Sequence, residues 1–310
     1  VTDRDVRVIS ELAPIVARLL ERHLESAREW FPHEMVPWSR GRDFEAGGTW
    51  DPDEFPLPAA VRSALFVNLL TEDNLPYYTS TLQRVFEREA PEGAEAWGVW
   101  TRRWTAEEMR HAMVMRDWLV VSRALDPWEL ERARMIQVGG GLVPDPVTVE
   151  DGLVYVTIQE LATQISHRNV GRLLDDRPGS QIMGRVAGDE HLHHVFYRDL
   201  ATAAFDLDAS SMVMALERQV RGFEMPGTGI PGFDAHAKVI SSAGIYDFAL
   251  HHTQILVPLV IDHWKLDALE GLSPEADQAR SRTLKHVDRV GIAARRLRAS
   301  REREAVRVGV

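Results

Sequence analysis

The sequence predicts an all-α fold, a four-helix bundle core with additional helices packed around it, and three observations carry that reading. Long segments place apolar residues three and four positions apart, with no convincing strand pattern and no repeat of solenoid period. Two of these segments contain a Glu-x-x-His pair, Glu108–His111 and Glu190–His193. Two others hold a glutamate beside apolar runs, Glu72 and Glu160, one ahead of each pair. Four carboxylates and two imidazoles on four helices make up the ligand set of a ferritin-like, carboxylate-bridged di-iron or di-manganese bundle.

The elements follow in order. The first helical pattern runs from Val6 to Trp30, interrupted at Pro14. A polar stretch with Pro32, Pro37, Gly41, Gly47, Gly48, Pro52, Pro56 and Pro58 is too long for a turn and predicts a loop that wraps the surface or covers an opening. Ala59 to Arg88 reads as one long helical pattern, with Pro76 kinking it or forcing a local irregularity and Pro91 ending it. Ala94 to Arg123 is the next, ending before Asp126–Pro127; a shorter helix from Trp128 to Ile136 leads to a loop at Gly139, Gly140, Gly141 and Pro144. Thr148 to Leu174 reads as helix although Leu153–Ile158 alone would pass for a strand, because the apolar spacing continues through Leu161, Ile165 and Val170. Asp175, Asp176 and Pro178 end it. Helices then follow over Gly179–Ala204 and Asp208–Phe223, a loop over Pro226–Gly232, a helix over Ala235–Leu266 with breaks near Gly244 and Pro258, and a charged helix over Ser273–Arg303. Residues 1–310 read as a single helical domain with a long N-terminal segment and a charged C-terminal helix and tail.

Composition narrows the chemistry. The chain is 45% hydrophobic and 27% charged, as in ordinary globular proteins, and its formal charge of -11 argues against non-specific binding to nucleic acid or anionic membrane. It has no cysteine, which removes disulfides, iron–sulfur clusters, thiolate zinc sites and cysteine nucleophiles together. Any metal must use oxygen and nitrogen ligands, which suit iron and manganese. Val1 to Glu11 lacks an apolar signal run, and no stretch of 18 apolar residues occurs, so the expectation is a cytoplasmic protein with no transmembrane segment.

Residues i and i+3 of a helix share a face, so Glu108 and His111 can bind one ion and Glu190 and His193 a second. The natural assignment makes Glu108 and Glu190 bridges, with Glu72 joining His111 and Glu160 joining His193. Four carboxylates then balance two ferrous ions. The register stays open on spacing alone: Glu107 reaches His111 at i+4, Glu190 reaches His194 at i+4, and Asp189, His191 and His194 crowd the second pair. The i+3 choice gives both pairs one geometry. Thr163, three after Glu160, is either a hydrogen-bond donor to oxygen in the cavity or a back-bonded helix threonine. Trp104, four before Glu108, reads as packing around the ligands, an electron route or plain core. Asp189, Arg110 and Asp247 are candidates to orient the imidazoles through their other ring nitrogen.

These residues sit in segments that resemble the soluble acyl-[acyl-carrier-protein] desaturases, of the plant stearoyl type and their actinobacterial relatives. The segments are Thr71–Pro76, Trp104–His111, Gln159–Asn169 and Asp189–His193, with Pro37–Phe44 and Leu256–Leu272 as further matches, and the similarity spans about Glu25 to Arg298. The resemblance implies metal ligands at Glu72, Glu108, His111, Glu160, Glu190 and His193, which settles the i+3 register, and places Thr163 near the oxygen-binding side with Trp104 in the second motif. It implies two iron ions, with manganese as a possible substitute, and a long bent apolar tunnel in a homodimer. It implies a fatty acyl chain on acyl carrier protein, molecular oxygen, and ferredoxin or a similar electron donor. Leu65–Leu70, Met109, Leu192 and Arg168 depart from the pattern without removing a ligand. Leu69, Leu70, Met113, Met115 and Phe196 are candidates for tunnel lining or for core. Because acyl carrier protein is acidic, docking needs a basic face, and Arg295, Arg296, Arg298, Arg301, Arg303 and Arg307 supply one unless they are a solvated helix end; Arg28, Arg40, Arg42 and Lys265 are other candidates. A hydroxylase or N-oxygenase on the same scaffold, or a non-catalytic protein that binds metal or acyl carrier protein, would carry the same ligands.

Overall fold

The computed structural model describes residues 3–44, 48–87, 93–140, 143, 146–225 and 227–308, with side chains up to residue 303, and no strand occurs among them. Gly47, Arg88, Pro91, Gly141, Pro144 and Pro226, and the side chain of Arg307, lie outside the described residues. Twelve α-helices are formed by the described residues. They are α1 (Asp3–Ser26), α2 (Pro32–Met35), α3 (Ala59–Glu72), α4 (Leu75–Phe86), α5 (Glu95–Ser122), α6 (Pro127–Gly140), α7 (Val149–Leu173), α8 (Arg177–Leu207), α9 (Ala209–Gly222), α10 (Phe233–Ser242), α11 (Phe248–His251) and α12 (Pro274–Val308). The central bundle consists of α3, α5, α7 and α8, which carry Glu72, Glu108 with His111, Glu160, and Glu190 with His193.

Local chemistry places these helices. The α7 N-terminus is capped by Thr148, whose hydroxyl accepts from Asp151 N at 3.1 Å. Asp176 caps α8, accepting from Gly179 N at 2.9 Å, and Pro178 occupies the first turn, where its missing N–H costs nothing. Helix α7 is buried on nearly every face from Val149 to Gly171, which is why its sequence shows apolar runs rather than a clean amphipathic stripe. A Cβ on Gly171 would lie 2.9 Å from Met183 Cβ, so the glycine permits the close approach of α7 to α8.

Three expectations need correction. Ala59–Arg88 is not one kinked helix. The chain breaks at Asp73 and Asn74, directly after Glu72, and Pro76 sits in the first turn of α4, a position that suits proline. Pro14 lies inside α1 without ending it. Pro258 does not break its segment either: it lies inside a π-helix that runs from His252 to His263. The expected break near Gly244 is present, with Gly244 at φ +69° between α10 and α11. The proline-rich loop wraps the surface at the end of α5. Arg123 closes α5 in the left-handed conformation, donates to the carbonyls of Arg42 and Asp43, and accepts from Trp50 Nε1 at 2.8 Å.

Two apolar clusters flank the bundle's middle. One gathers Ile9, Leu12, Phe86, Trp97, Trp100, Leu153, Phe196 and Leu259; the other gathers Trp30, Leu65, Leu69, Val114, Trp118 and Met183. The predicted ligands lie where the two meet. No described helix is long and apolar enough to cross a membrane.

Candidate metal centre

All six predicted ligands are buried, between 0% and 7% exposed, and they converge. One group of mutually close donor atoms comes from Glu72, Glu108, His111 and Glu190; a second comes from Glu108, Glu160, Glu190 and His193. Glu108 and Glu190 belong to both, the arrangement expected of bridging carboxylates. Oε2 of Glu108 lies 3.3 Å from His111 Nδ1 and Oε1 lies 2.8 Å from His193 Nδ1. His111 Nδ1 is also 3.7 Å from Glu72 and 3.5 Å from Glu190, and His193 Nδ1 is 3.6 Å from Glu160.

Several inward atoms make no well-formed hydrogen bond despite their close approach. His111 Nδ1, His193 Nδ1, Glu108 Oε1 and Glu160 Oε2 are buried and unpaired. Buried polar atoms are normally satisfied, so four orphans aimed at two points fit a pair of cations. Electrostatics agrees. Burial and the charge of Glu190 push Glu108 and Glu160 upward, Glu160 well above the usual carboxylate range. Burial opposes the charge on His111 and His193, but the carboxylates around them override it and raise both well above ordinary histidine. Burial also opposes ionisation of Glu72 and Glu190, yet the imidazole of His111 facing both holds them below the usual range. Protons thus gather on imidazoles and on two carboxylates, where two divalent cations would balance four negative charges.

The outward atoms are tied. Nε2 of His193 meets Glu107 Oε2 at 2.8 Å, and Nε2 of His111 meets Asp189 Oδ2 at 3.4 Å. Asp189 also accepts from Trp30 Nε1 at 2.8 Å and Arg185 at 2.6 Å; His111 first, and then the Trp30 bond, hold its pKa at about 2 against burial. Glu72 is held by His167 Nε2 at 2.9 Å, and Asn68 Nδ2 lies 3.2 Å from His167 Nδ1. Glu160 accepts from Trp104 Nε1 at 3.0 Å. Such outer contacts fix the orientation and tautomer of ligands.

Among the weaker expectations, Glu107 is not a rival ligand for His111: it faces outward and grips the histidine of the other pair. His194 turns away, with Nδ1 2.9 Å from Thr157 O, and His191 is exposed. Asp189 has the predicted role. Arg110 touches no imidazole and lies instead 3.6 Å from Glu107 and 3.9 Å from Asp189. Asp247 caps α11 and pairs with Arg301 at 2.6 Å, away from the imidazoles. Thr163 Oγ1 is 3.1 Å from the carbonyls of Gln159 and Glu160, so it is back-bonded, and it also lies 3.1 Å from Glu190 Oε2 at the edge of the centre. His23, Trp30, Asn68 and His167 were missed. An acidic residue directly before each Glu-x-x-His, Glu107 and Asp189, was the visible signal for the outer shell; nothing local marked His23 or Trp30.

Two small cavities flank the centre. One, of about 90 Å³, is lined by Val67, Glu72, Thr163, His167, Met225, Phe233, Ile240 and Tyr246. The other, about 20 Å³, is lined by Tyr78, Leu82, Val85, Phe86, Trp104, Gly152, Tyr155 and Gln159. A larger cleft of about 700 Å³ opens beside Glu72 between α4 and α5, with Thr79, Thr105, Met109 and Met113 on its walls. Of the suggested lining residues, Met113 borders this cleft, whereas Leu69, Leu70, Met115 and Phe196 are fully buried core.

Comparison with known proteins gives the same direction. The model of a family described as fatty acid desaturase matches residues 4–309. A Mycobacterium tuberculosis protein named as the acyl-[acyl-carrier-protein] desaturase DesA1 is 36% identical over 97% of this chain and 90% of its own length. The chloroplastic stearoyl-[acyl-carrier-protein] 9-desaturase of Linum usitatissimum is 31% identical over 84% of this chain and 69% of its own. The X-ray structure of DesA2 from Mycobacterium tuberculosis superposes with a TM-score of 0.71 at 26% identity, covering 88% of this chain and 99% of that one.

Proposed function

The chain belongs to the fatty acid desaturase family, and from that premise we propose that it desaturates a fatty acyl chain carried on acyl carrier protein, leaving a cis double bond. The observation that carries the proposal is the pair of donor sets sharing Glu108 and Glu190, in a chain matched along almost its whole length by that family. Glu72, Glu108, His111, Glu160, Glu190 and His193 would hold two iron ions, with manganese as a substitute. Once bound, these ions supply the oxygen-dependent removal of hydrogen from an unactivated methylene, a step beyond any side chain. The overall change is balanced when one oxygen molecule, two electrons and two protons accompany the two hydrogens lost and two waters form. Ferredoxin or a similar donor would provide the electrons.

The chain's own residues do the positioning. Asp189 and Glu107 hold the imidazoles with Nδ1 inward, and His167 and Trp104 fix the outer carboxylates. Thr163 sets its hydroxyl against Glu190 on the wall of the 90 Å³ cavity, the side from which we bring the acyl chain past the centre. The apolar walls of both small cavities exclude water and recognise the chain by area alone. On the surface, Arg295, Arg296, Arg298 and Arg303 are exposed on α12, and Arg301 binds Asp247, the neighbour of cavity-lining Tyr246. This is the face we assign to the acidic carrier. Arg40 and Arg42 are less suited because they pair with Asp176 and Glu54. Half-exposed Met109 and Met113 beside the large cleft are the apolar surface that a second copy would cover in a homodimer.

The test is anaerobic loading with iron, then reduced ferredoxin, oxygen and a set of acyl carrier protein thioesters, with mass spectrometry of the acyl product. Loss of two mass units, absent in Glu108→Ala and Glu190→Ala, is the expected result. A gain of sixteen would make the protein a hydroxylase, and iron binding without turnover would make it a metal- or carrier-binding protein.

A further inference from the structure

The outer arms of the centre cross the bundle. Asp189, on the helix of His193, holds His111, while Glu107, on the helix of His111, holds His193. Each arm also receives one arginine at 2.6 Å, Arg185 on Asp189 and Arg103 on Glu107. Each ends on one ring from the N-terminal part of the chain. The rings differ: Asp189 receives the indole of Trp30, whereas Glu107 meets Nε2 of His23 at 2.9 Å. His23 is buried, with its ring edge-on to Trp100 at 5.0 Å and stacked at 5.9 Å from His193.

His23, Glu107 and His193 also form a trio close enough to hold a metal. The surroundings argue against that use. Arg103 at 2.6 Å and Arg110 at 3.6 Å already place positive charge on Glu107 Oε1. Both imidazole nitrogens stand at hydrogen-bond distance from the same Oε2, the geometry of one carboxylate oxygen accepting from two N–H groups.

We infer that His23 is a positioning residue for the ion held by Glu160 and His193, acting through Glu107. Its Nε2–H fixes the carboxylate that receives Nε2–H of His193, and His193 is thereby locked with its Nδ1 lone pair facing the centre. The 2.8 Å Glu107 contact, against 3.4 Å for Asp189, makes this the tighter arm. The two metal positions are therefore tuned separately, one from α1 and one from the segment after it. The inference rests on the ligand assignment proposed above.

The test uses the full chain stripped of metal and titrated anaerobically with ferrous ion, with Mössbauer spectra of the iron-57-loaded protein. The parent should bind two ions per chain. His23→Phe should hold one ion as the parent does and the other about 10- to 100-fold more weakly, the usual cost of removing an outer partner, with one of two ferrous signals altered. His23→Gln, which keeps an N–H donor, should recover most of the loss. Trp30→Phe should weaken the opposite position. Parent-like binding of both ions by His23→Phe, parallel weakening of both, or a Gln variant no better than Phe overturns the inference. A parent that binds no ferrous ion overturns the ligand assignment instead.

Discussion

Thr163 carries one hydroxyl proton and has three acceptors at 3.1 Å, two of them helix carbonyls and the third Glu190. Thr163→Val keeps the shape and removes the donor. The helix loses only a weak back-bond, whereas the carboxylate loses a charge-assisted one, so product formed per oxygen consumed should fall about tenfold or more, with a drop in melting temperature of only a few degrees. Thr163→Ser should restore it; product formed per oxygen consumed is the measurement, and unchanged coupling in the valine variant would leave Thr163 as a back-bonded residue only. Trp104 separates its two readings similarly. Its indole donates to Glu160, so Trp104→Phe should weaken iron binding about 10- to 100-fold while leaving the reduction rate of the remaining bound iron alone. Slower reduction at full iron content would favour an electron route instead. At this scale the convergence of the six donors was legible because i and i+3 on a helix share a face, with the register taken from the resemblance. The outer shell was not, because His23, Trp30 and His167 reach the centre across the fold, and Glu107 at i+4 imitates a ligand it is not.

At the scale of elements, the long helices were legible from periodicity and most of their ends from prolines and glycines, whereas the caps Thr148 and Asp176 emerged only in the structure. Two other features were not legible. The break after Glu72 falls ahead of the proline that seemed to cause it, because proline is as content in a first turn as at a kink. The π-helix over His252–His263 has the same composition as an α-helix, and only packing selects the wider turn. Close approach gives the element-level prediction. A Cβ on Gly179 would lie 2.3 Å from Cζ2 of Trp118, whose ring is fully buried between α8 and α5. The ring has nowhere to move, so Gly179→Ala should cost about 1–3 kcal/mol in denaturant unfolding, as overpacking does. Gly184, exposed on the same helix with nothing within 4 Å of its Cβ position, is the control. There alanine should be neutral or stabilising by up to about 1 kcal/mol.

At the scale of the whole molecule, charge is coupled to folding at His251 and at the centre, among other groups. His251 packs on Phe223 and meets Tyr246 Oη at 2.8 Å, and burial pushes its pKa down to about 4. The unfolded chain takes up that proton near pH 6.5, the ordinary value. Between about pH 6.5 and 4 the unfolded state binds a proton that the folded state refuses, so stability falls with acidification across this window and the contribution is complete above it. His251→Phe should flatten part of the slope of melting temperature against pH there; an unchanged slope would mean that His251 titrates normally. The larger coupling is at the centre. Four carboxylates buried among four helices repel one another unless protons or cations intervene, so the site is a source of instability until it is filled. Metal that binds only the folded chain adds stability by mass action, about 2.7 kcal/mol at a hundredfold excess over Kd. Anaerobic addition of ferrous or manganous ion should therefore raise the melting temperature, and a chelator should reverse it. Glu160→Gln separates this from ordinary packing: it preserves shape and removes a carboxyl group whose ionisation burial and the charge of Glu190 oppose. The metal-free variant should be at least as stable as the metal-free parent and should lose the metal-dependent rise. If it were instead less stable without metal, Glu160 would be part of the scaffold that holds the bundle together, not a charge kept at the expense of stability for the sake of a cation.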